Sequence, residues 1–378
     1  MVTFGRAAAV VNTAAIANNI GVVRKMVGPD VRIMSVVKAN GYGHGIFEAS
    51  RTAVNAGADW LGVATVTEGV LLRHRDIVVP ILVLSPAFEE EFENIILNNL
   101  ASTIFSLDAA KKLTHMAGYL ERDAKVHIKI DTGMNRVGYT GDADDIAAEI
   151  AEISRLPRIM IEGIYSHFAA SDANPEFTKE QFARFMHIIG VLENQKGLHI
   201  PIKHISNSGG ILGYRECDLD MVRAGVLTYG LAPNSLTEGA KELSRLGFLP
   251  ALTLKSRMAH VKTVRPGESV GYSRNFWPDR EMCVASVPIG YADGLSRQLS
   301  NRGQVLINGV LCDIIGNVCM DQFMVDATGA DAKVRDEVII IGESGDTRIW
   351  AEDVAAQQKS INYEVATSIS ERVTRFYV

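Results

Sequence analysis

Short runs of β-branched and apolar residues alternate with amphipathic helical patterns between about residues 30 and 230, which indicates repeated βα units around a parallel sheet. The pattern predicts eight strands, at 32–37, 59–64, 80–84, 102–105, 125–130, 160–166, 202–206 and 222–225. Predicted helices include 89–98, 108–121, 144–154 and 178–192, with Ser106 and Thr178 as N-caps. Eight strands in some 200 residues favour a (β/α)8 TIM barrel over an open doubly wound sheet.

The pattern changes from about residue 249, where strands are separated by Gly, Pro and Asp turns, as in LTLKSRMAHVKTV and VASVPIGYAD. This spacing predicts a β-rich C-terminal domain with one late helix near 351–359. We place the boundary within 233–242, which gives a barrel domain over 1–238 and a β-rich domain over 239–378. The first ~10 residues are candidates for pairing with the C-terminal domain.

Composition narrows the function class. Of the 378 residues, 47% are hydrophobic and 22% are charged, as in a soluble globular protein of more than one domain. The net charge of -6 has no basic clusters, so the sequence predicts a small-molecule function without nucleic acid or membrane partners. The chain shows no apolar stretch of ~20 residues and no secretion signal, which predicts a cytoplasmic protein. No metal site or disulfide is expected from Cys217, Cys283, Cys312 and Cys319.

Polar residues recur where the predicted barrel strands end. Lys38 follows the first strand, His167 the sixth, and Asn207 and Ser208 the seventh, while Arg223 lies at the eighth. In a (β/α)8 barrel the loops at the carboxyl ends of the strands converge on one cavity, so these residues predict an active site.

Lys38 lies in VVKANGYGHG (36–45), at the end of an apolar strand and before a Gly-rich turn. A lysine in a partly desolvated pocket can lose its proton and bond covalently to an aldehyde cofactor, whereas an isolated lysine at a strand end more often lies along the surface. This segment closely resembles the pyridoxal-phosphate attachment motif of the alanine racemases. Further segments resemble that family in order: DTGMNRVG (131–138), YSHFAASD (165–172), HISNSGG (204–210), MVRAGVLTYGLAP (221–233), VGYSRNF (270–276), VPIGYADGLSR (287–297), VCMDQFMVD (318–326) and INYEVATSISERVTRFY (361–377).

The resemblance implies a pyridoxal 5'-phosphate enzyme that interconverts L-alanine and D-alanine, supplying D-alanine for peptidoglycan. It also implies a head-to-tail homodimer whose two active sites each borrow residues from the partner subunit. Racemisation needs one group to take the Cα proton from one face and another to return it on the opposite face. By resemblance these acid/bases are Lys38 and Tyr272 of the partner subunit. Ser273 stands where the family usually has glycine.

The resemblance assigns the remaining roles. Arg223 faces the pyridine nitrogen, and the other cofactor-binding positions are Tyr42, His167, Asn207, Ser208, Gly225, Val226 and Tyr363. Arg136 binds the substrate carboxylate, with the backbone of Met320 of the partner subunit assisting, and Tyr291 and Asp321 match residues that line the substrate entrance. Lys129 corresponds to a lysine that is carbamylated in many relatives and positions this arginine. The alternative for Lys129 is an ordinary lysine with a lowered pKa or an acidic partner such as Asp131.

Three other functions share parts of this pattern. A cofactor carrier built as a single barrel lacks the second domain that holds Tyr272 and Met320. A barrel-plus-β-domain decarboxylase of basic amino acids uses different residues around the ring, and the context of Arg223 matches the racemases instead. A racemase for serine or for a broad range of amino acids stays open, because one or two methylene groups change discrimination by only ~1–3 kcal/mol.

Overall fold

The computed structural model describes residues 3–378, and these divide into two compact units. The barrel unit comprises Ala17–Gly41 and Ala49–Thr228, and the β-rich unit comprises residues 3–16, Tyr42–Glu48 and Tyr229–Val378. The division at Thr228 precedes the predicted boundary at 238, and the segment Tyr42–Glu48 belongs to the β-rich unit. Residues 1 and 2 of the predicted barrel domain lie outside the described residues.

The strands up to the end of the barrel are β1 (Ala7–Val11), β2 (Arg32–Val36), β3 (Trp60–Val63), β4 (Ile81–Pro86), β5 (Ala101–Ile104), β6 (Ala124–Lys129), β7 (Ile159–Tyr165), β8 (Ile202–His204) and β9 (Met221–Ala224). The later strands are β10 (Leu252–Arg257), β11 (His260–Val264), β12 (Met282–Val287), β13 (Gln304–Ile307), β14 (Val310–Ile315), β15 (Phe323–Asp326), β16 (Glu337–Ser344), β17 (Thr347–Ile349) and β18 (Thr374–Tyr377).

The helices are α1 (Thr13–Val27), α2 (Lys38–Tyr42), α3 (Ile46–Asn55), α4 (Val66–Arg73), α5 (Phe92–Leu97), α6 (Leu107–Tyr119), α7 (Ala143–Ile153), α8 (Pro175–Lys196), α9 (Ser208–Gly213), α10 (Thr237–Arg245), α11 (Ala351–Gln357) and α12 (Asn362–Thr367). The short α2 is not a regular helix, because its central residues have left-handed backbone angles.

The barrel unit contains eight parallel strands in the order β8-β7-β6-β5-β4-β3-β2-β9. Two backbone hydrogen bonds join the strands at the two ends of this order: Asp220 N–H donates to Lys203 O at 3.1 Å, and Arg223 N–H donates to Ser206 O at 2.9 Å. The sheet therefore nearly closes on itself, and the predicted (β/α)8 barrel is confirmed. Each predicted barrel strand corresponds to an observed one, with bounds that differ by up to two residues.

The helix starts show one correct and one wrong prediction. Ser106 caps α6, since its side chain accepts the Ala109 N–H at 3.2 Å. The prediction of Thr178 as an N-cap is wrong, because α8 begins at Pro175 and its cap is Asn174. Proline fits the first helical position since it lacks the N–H that would have no partner there. Thr178 lies inside the helix, where its hydroxyl donates to Asn174 O at 2.8 Å.

The β-rich unit is built on strands in the order β11-β12-β15-β14-β13-β16-β10-β1-β18, with β17 paired to β16. The N-terminal strand β1 pairs antiparallel with β10 and parallel with β18. Side chains alternate along β10, where Leu252 and Leu254 are buried, as expected for a strand with one face on the core. Within residues 3–378, no helix is both long and apolar enough to cross a bilayer.

Candidate active site

Polar side chains gather where the parallel strands of the barrel unit end. Lys38 follows β2, Lys129 is the last residue of β6, and His167 follows β7. Ser208 follows β8, and Arg223 lies within β9. Since the carboxyl ends of parallel barrel strands open on the same side, the fold brings these residues to one face of the barrel.

Arg223 is buried, with 3% of its surface exposed, and its guanidinium is held by several acceptors. Nη1 donates to His204 Nδ1 at 2.9 Å, and Nη2 contacts His167 Nδ1 at 3.1 Å. Nη2 also donates to the carbonyl oxygens of Ser166 at 2.7 Å and Ile205 at 2.9 Å. Burial lowers the pKa of Arg223 to about 10, so the side chain remains a cation at neutral pH in a fixed orientation.

Two histidines that the sequence reasoning did not assign to the site extend this network. Because an arginine can only donate, His204 Nδ1 is the acceptor and its Nε2 carries the proton. His204 Nε2 lies 2.9 Å from His127 Nδ1, so it donates to His127. Burial, followed by the charge of Arg223, lowers the pKa of His127 to about 3 and lowers that of His204 as well. Both imidazoles are therefore neutral. Each Nδ1 can then accept a hydrogen bond, that of His204 from Arg223 and that of His127 from His204.

His167 is also neutral. Burial and then Arg223 hold its pKa well below the ordinary histidine range. Tyr165, the last residue of β7, stacks on His204 with ring centroids 4.8 Å apart. Its hydroxyl lies 2.8 Å from that of Thr103, and burial raises the pKa of Tyr165 to about 12. The groups around Arg223 are therefore uncharged aromatic side chains and carbonyl oxygens.

Lys129 is buried at the end of β6, as the apolar strand KVHIKI predicts. Its Nζ donates to Ile130 O at 2.8 Å and lies 5.2 Å from the centre of the Tyr165 ring. Burial, and next the charge of Arg223, lower the pKa of Lys129 to about 7, while Asp131 acts in the opposite direction. Much of this amine is therefore unprotonated at neutral pH.

The loop that carries Arg136 is organised by the carboxylate of Asp131. Its Oδ1 accepts the N–H of Gly133 at 2.8 Å and that of Asn135 at 3.0 Å, and its Oδ2 accepts the N–H of Arg136 at 2.9 Å. Burial alone would raise the pKa of Asp131, but these hydrogen bonds lower it below its usual value. The exposed Arg136 side chain thus projects from a backbone that an ionised aspartate holds in place.

Lys38 is largely buried, and this burial changes the pKa of its amine. Burial lowers the pKa of its amine, the charge of Arg136 lowers it further, and Glu68 raises it. A lysine with a lowered pKa has more of the unprotonated form that attacks a carbonyl group.

Asn207 and Ser208 begin the short helix α9. Asn207 Oδ1 accepts the Gly210 N–H at 3.0 Å and the Ser171 hydroxyl at 2.8 Å, so its side chain caps the helix. Ser208 Oγ accepts the Gly225 N–H at 3.0 Å. The loop after β8 and the loop after β9, which includes Val226, are therefore joined through Ser208.

The β-rich unit holds the other predicted site residues in two places. Tyr42 and Tyr363 lie together, with ring centroids 6.2 Å apart. Burial raises the pKa of Tyr42, with a further contribution from Tyr363. The Tyr363 hydroxyl donates to Pro233 O at 3.3 Å. The Tyr42 hydroxyl therefore stays protonated at neutral pH and can donate a hydrogen bond.

The second place is an open cavity of about 420 Å³ in the β-rich unit. The predicted residues among those lining it are Tyr272, Tyr291, Met320 and Asp321. Tyr272 has 74% of its surface exposed, and its backbone oxygen accepts the Asn317 side-chain amide at 2.9 Å. The next residue, Ser273, has a φ of 63°, in the left-handed region where glycine costs less.

The loop containing Met320 and Asp321 is fixed by both backbone and charged contacts. Met320 O accepts the Ala292 N–H at 3.0 Å. Arg372 donates to the Asp321 carboxylate at 2.6 Å, and Arg6 donates to the Asp321 backbone oxygen at 3.3 Å. Hydrogen bonds therefore hold the part of the cavity wall that contains Met320 and Asp321.

Both units resemble known proteins. The family model for the alanine racemase N-terminal domain matches residues 11–233, and that for the alanine racemase C-terminal domain matches residues 251–377. The alanine racemase of Desulforamulus reducens is 42% identical over 370 residues, which cover 97% of this chain and 98% of that protein. The structure of alanine racemase from Clostridium difficile 630 has a TM-score of 0.93 at 37% identity, covering 100% of this chain and 97% of that chain. The structure of alanine racemase from Bacillus anthracis with bound L-Ala-P has a TM-score of 0.92 at 31% identity, covering 100% and 96% of the two chains.

Proposed function

The chain belongs to the alanine racemase family and is an amino-acid racemase, and from this premise we propose that it uses pyridoxal 5'-phosphate at Lys38 to interconvert L-alanine and D-alanine. The arrangement of Arg223 is the observation that best supports the choice of this reaction. Its buried guanidinium is a cation held by neutral imidazoles and carbonyl oxygens, whereas an enzyme that keeps the cofactor ring protonated would need a carboxylate there to accept the ring N–H.

The charges of the barrel unit fit an anionic cofactor and a substrate carboxylate. The basic side chains that influence one another there are Lys38, Lys129, Arg136 and Arg223. The carboxylates that act on them are Glu68 and Asp131. Arg136 and Arg223 carry guanidinium groups, which suit contacts with an anionic cofactor and with a substrate carboxylate.

Distinct residues would hold each part of the cofactor. We assign the phosphate to hydroxyl and backbone N–H donors at Ser208, Gly225, Val226, Tyr42 and Tyr363. Asn207 supports this set by capping the helix that begins at Ser208. Arg223 would donate to the pyridine nitrogen, and His167 would pack near the ring.

The bound cofactor supplies an electron sink for the pair left when Cα loses its proton. The Lys38 amine takes or returns that proton on one face of the substrate. Tyr272 of the partner subunit does so on the other face, so the proposal requires a homodimer with shared active sites. Because the Arg223 guanidinium can only donate hydrogen bonds, it would leave the pyridine nitrogen of the bound cofactor unprotonated, which would weaken the electron sink and favour simple return of the proton.

Arg136 would bind the substrate carboxylate, with the backbone of Met320 of the partner subunit assisting. Tyr291 and Asp321 would line the substrate entrance. We propose that Lys129 is carbamylated, because a partly unprotonated amine can react with CO2 and the product would be an anion that orients Arg136. The product D-alanine would supply peptidoglycan synthesis. The cytoplasmic location of the protein stays a prediction.

The proposal is tested by assaying the purified protein for loss of optical activity with L-alanine, L-serine and L-lysine as separate substrates. We expect L-alanine to be preferred, and a preference for L-serine would favour the broader racemase. Tyr272→Phe should lower kcat by about 10²–10⁴-fold, the usual contribution of a general acid/base. Tyr119→Phe is a matched control, since this tyrosine is 80% exposed on α6.

Mixing two inactive variants tests whether the active site is shared. Lys38→Ala and Tyr272→Phe chains, dissociated and randomly reassociated, form mixed dimers in half of the population. One of the two sites in each mixed dimer keeps both acid/bases, so about a quarter of wild-type activity should return. No recovery in demonstrated mixed dimers would contradict the supply of Tyr272 by the partner subunit.

A further inference from the structure

The chain directly after Lys38 has an unusual backbone. Ala39, Asn40 and Gly41 have φ values of 52°, 54° and 62°, so three consecutive residues lie in the left-handed region. Residues with a Cβ disfavour this region, and successive left-handed residues are rare. A segment with such angles persists only where the surrounding structure holds it, and such segments are concentrated at functional sites.

The carboxylate of Glu68 contacts the first residue of this turn. Its Oε1 accepts the Ala39 N–H at 2.7 Å. Its Oε2 accepts the N–H of Ala64 at 2.7 Å and that of Thr65 at 3.2 Å. One carboxylate therefore connects the end of β2, which leads into Lys38, to the segment after β3. Only an ionised carboxylate suits three such donors, because an amide would direct its own N–H groups at one of them.

Part of this arrangement has an ordinary explanation. Glu68 and Thr65 form a capping box at the start of α4, in which the Thr65 hydroxyl accepts the Glu68 N–H at 3.2 Å. The capping box accounts for the bond from the Thr65 N–H. It does not account for the bond to Ala39, which lies in another loop and contributes nothing to α4. The second oxygen of Glu68 therefore has a function outside the helix.

We propose that Glu68 is a positioning residue for Lys38, because its carboxylate fixes the Ala39 amide and with it the left-handed turn from which the reactive lysine projects. This inference rests on the proposed function, in which Lys38 both binds the cofactor and moves the proton. A proton acceptor has to stay within hydrogen-bond reach of Cα, and a displacement of 1 Å can cost about 10²-fold in rate. Fixing the backbone on the carboxyl side of Lys38 limits the displacement of the backbone from which this side chain projects.

The test compares Glu68→Gln with Thr65→Ala in the purified full-length protein. Thr65→Ala removes the helix-capping hydroxyl and leaves the bond to Ala39, so it is the matched control. Amide hydrogen exchange in a peptide that contains Ala39 reports the turn without any need for turnover. We expect Glu68→Gln to accelerate this exchange at least about tenfold and Thr65→Ala to change it less than about twofold.

The kinetic measurement uses the same variants. Glu68→Gln should lower kcat by about 10–100-fold with KM for L-alanine within about threefold, and Thr65→Ala should keep kcat within about twofold. Glu68→Asp, which keeps the charge on a shorter side chain, should recover part of the rate, and it serves if the glutamine variant does not fold. Wild-type exchange in Glu68→Gln, or an equal loss of kcat in Thr65→Ala, would overturn the proposal. A wild-type protein without racemase activity would refute the proposed function instead, and the exchange result would still stand.

Discussion

The buried amine of Lys129 links folding stability to pH, and the proposed carbamylation would link it to carbon dioxide as well. Burial lowers the pKa of its amine from 10.5 to about 7 in the folded protein, with Arg223 as the next cause. The unfolded chain has the ordinary value, so between pH 7 and 10.5 it binds more protons at this position than the folded chain does. The free energy of unfolding therefore rises with pH across this window, and the folded state is penalised most below pH 7.

The magnitude follows from the two pKa values. At about 1.4 kcal/mol per pH unit, a lowering from 10.5 to about 7 corresponds to roughly 4–5 kcal/mol. The side chain is buried, so solvent screening removes little of this, and local relaxation reduces it to about 3–5 kcal/mol. Carbamylation would replace the cation by an anion beside Arg223 and Arg136, and dissolved bicarbonate should therefore stabilise the protein near pH 7.

The assay is thermal unfolding of the protein from pH 6 to 10, with and without bicarbonate. Lys129→Met should be more stable than the wild type at pH 6, with a flatter dependence on pH and no response to bicarbonate. Lys125→Met, on the same strand β6 but facing Glu162, should keep the wild-type response. If Lys129→Met showed the same bicarbonate response as the wild type, the reasoning would be refuted.

Two further predictions concern residues that support the site. Asp131→Asn offers one acceptor oxygen to three backbone N–H groups, so the loop that carries Arg136 should become less ordered. In steady-state kinetics, KM for L-alanine should rise about tenfold and kcat should change less. An unchanged KM would contradict a role of this loop in substrate binding. Gly163→Ala would place a Cβ 2.4 Å from His127 Nδ1 and should lower the free energy of unfolding by about 1–3 kcal/mol in a denaturant titration. Gly118→Ala, where nothing lies within 4 Å of the new Cβ, is its control and should not destabilise.

The barrel strands were predictable because parallel strands covered on both faces form short apolar runs between helical patterns. The strand predicted at 160–166 is β7 at Ile159–Tyr165, and that at 202–206 is β8 at Ile202–His204. Helix starts were less predictable, because several residues in one loop can act as caps. Asn174 and Thr178 are both suitable, and the proline at 175 decides in favour of Asn174.

Long-range contacts explain what the sequence could not predict. The segment after Lys38 reads as one Gly-rich turn, yet Tyr42–Glu48 belongs to the β-rich unit. A Cβ on Gly43 would lie 2.0 Å from Ala366 O, a contact across more than three hundred residues that no local pattern signals. His127 reads as one polar residue in an apolar strand, and only the position of His204 on β8 shows that it continues the chain from Arg223.

The charged residues of the barrel site do not favour folding stability. The free energy that their burial costs indicates that they serve binding or catalysis instead. Burial lowers the pKa values of Lys38, Lys129 and Arg223, which means that each charge is disfavoured in the folded protein. A core selected only for stability would replace such groups with apolar side chains of similar volume. An anion bound among them would be stabilised by the same charges that now oppose one another. The unfavourable burial of these charges is therefore linked to the affinity of the site for anions, and the same burial makes more of the Lys38 amine available in its unprotonated form.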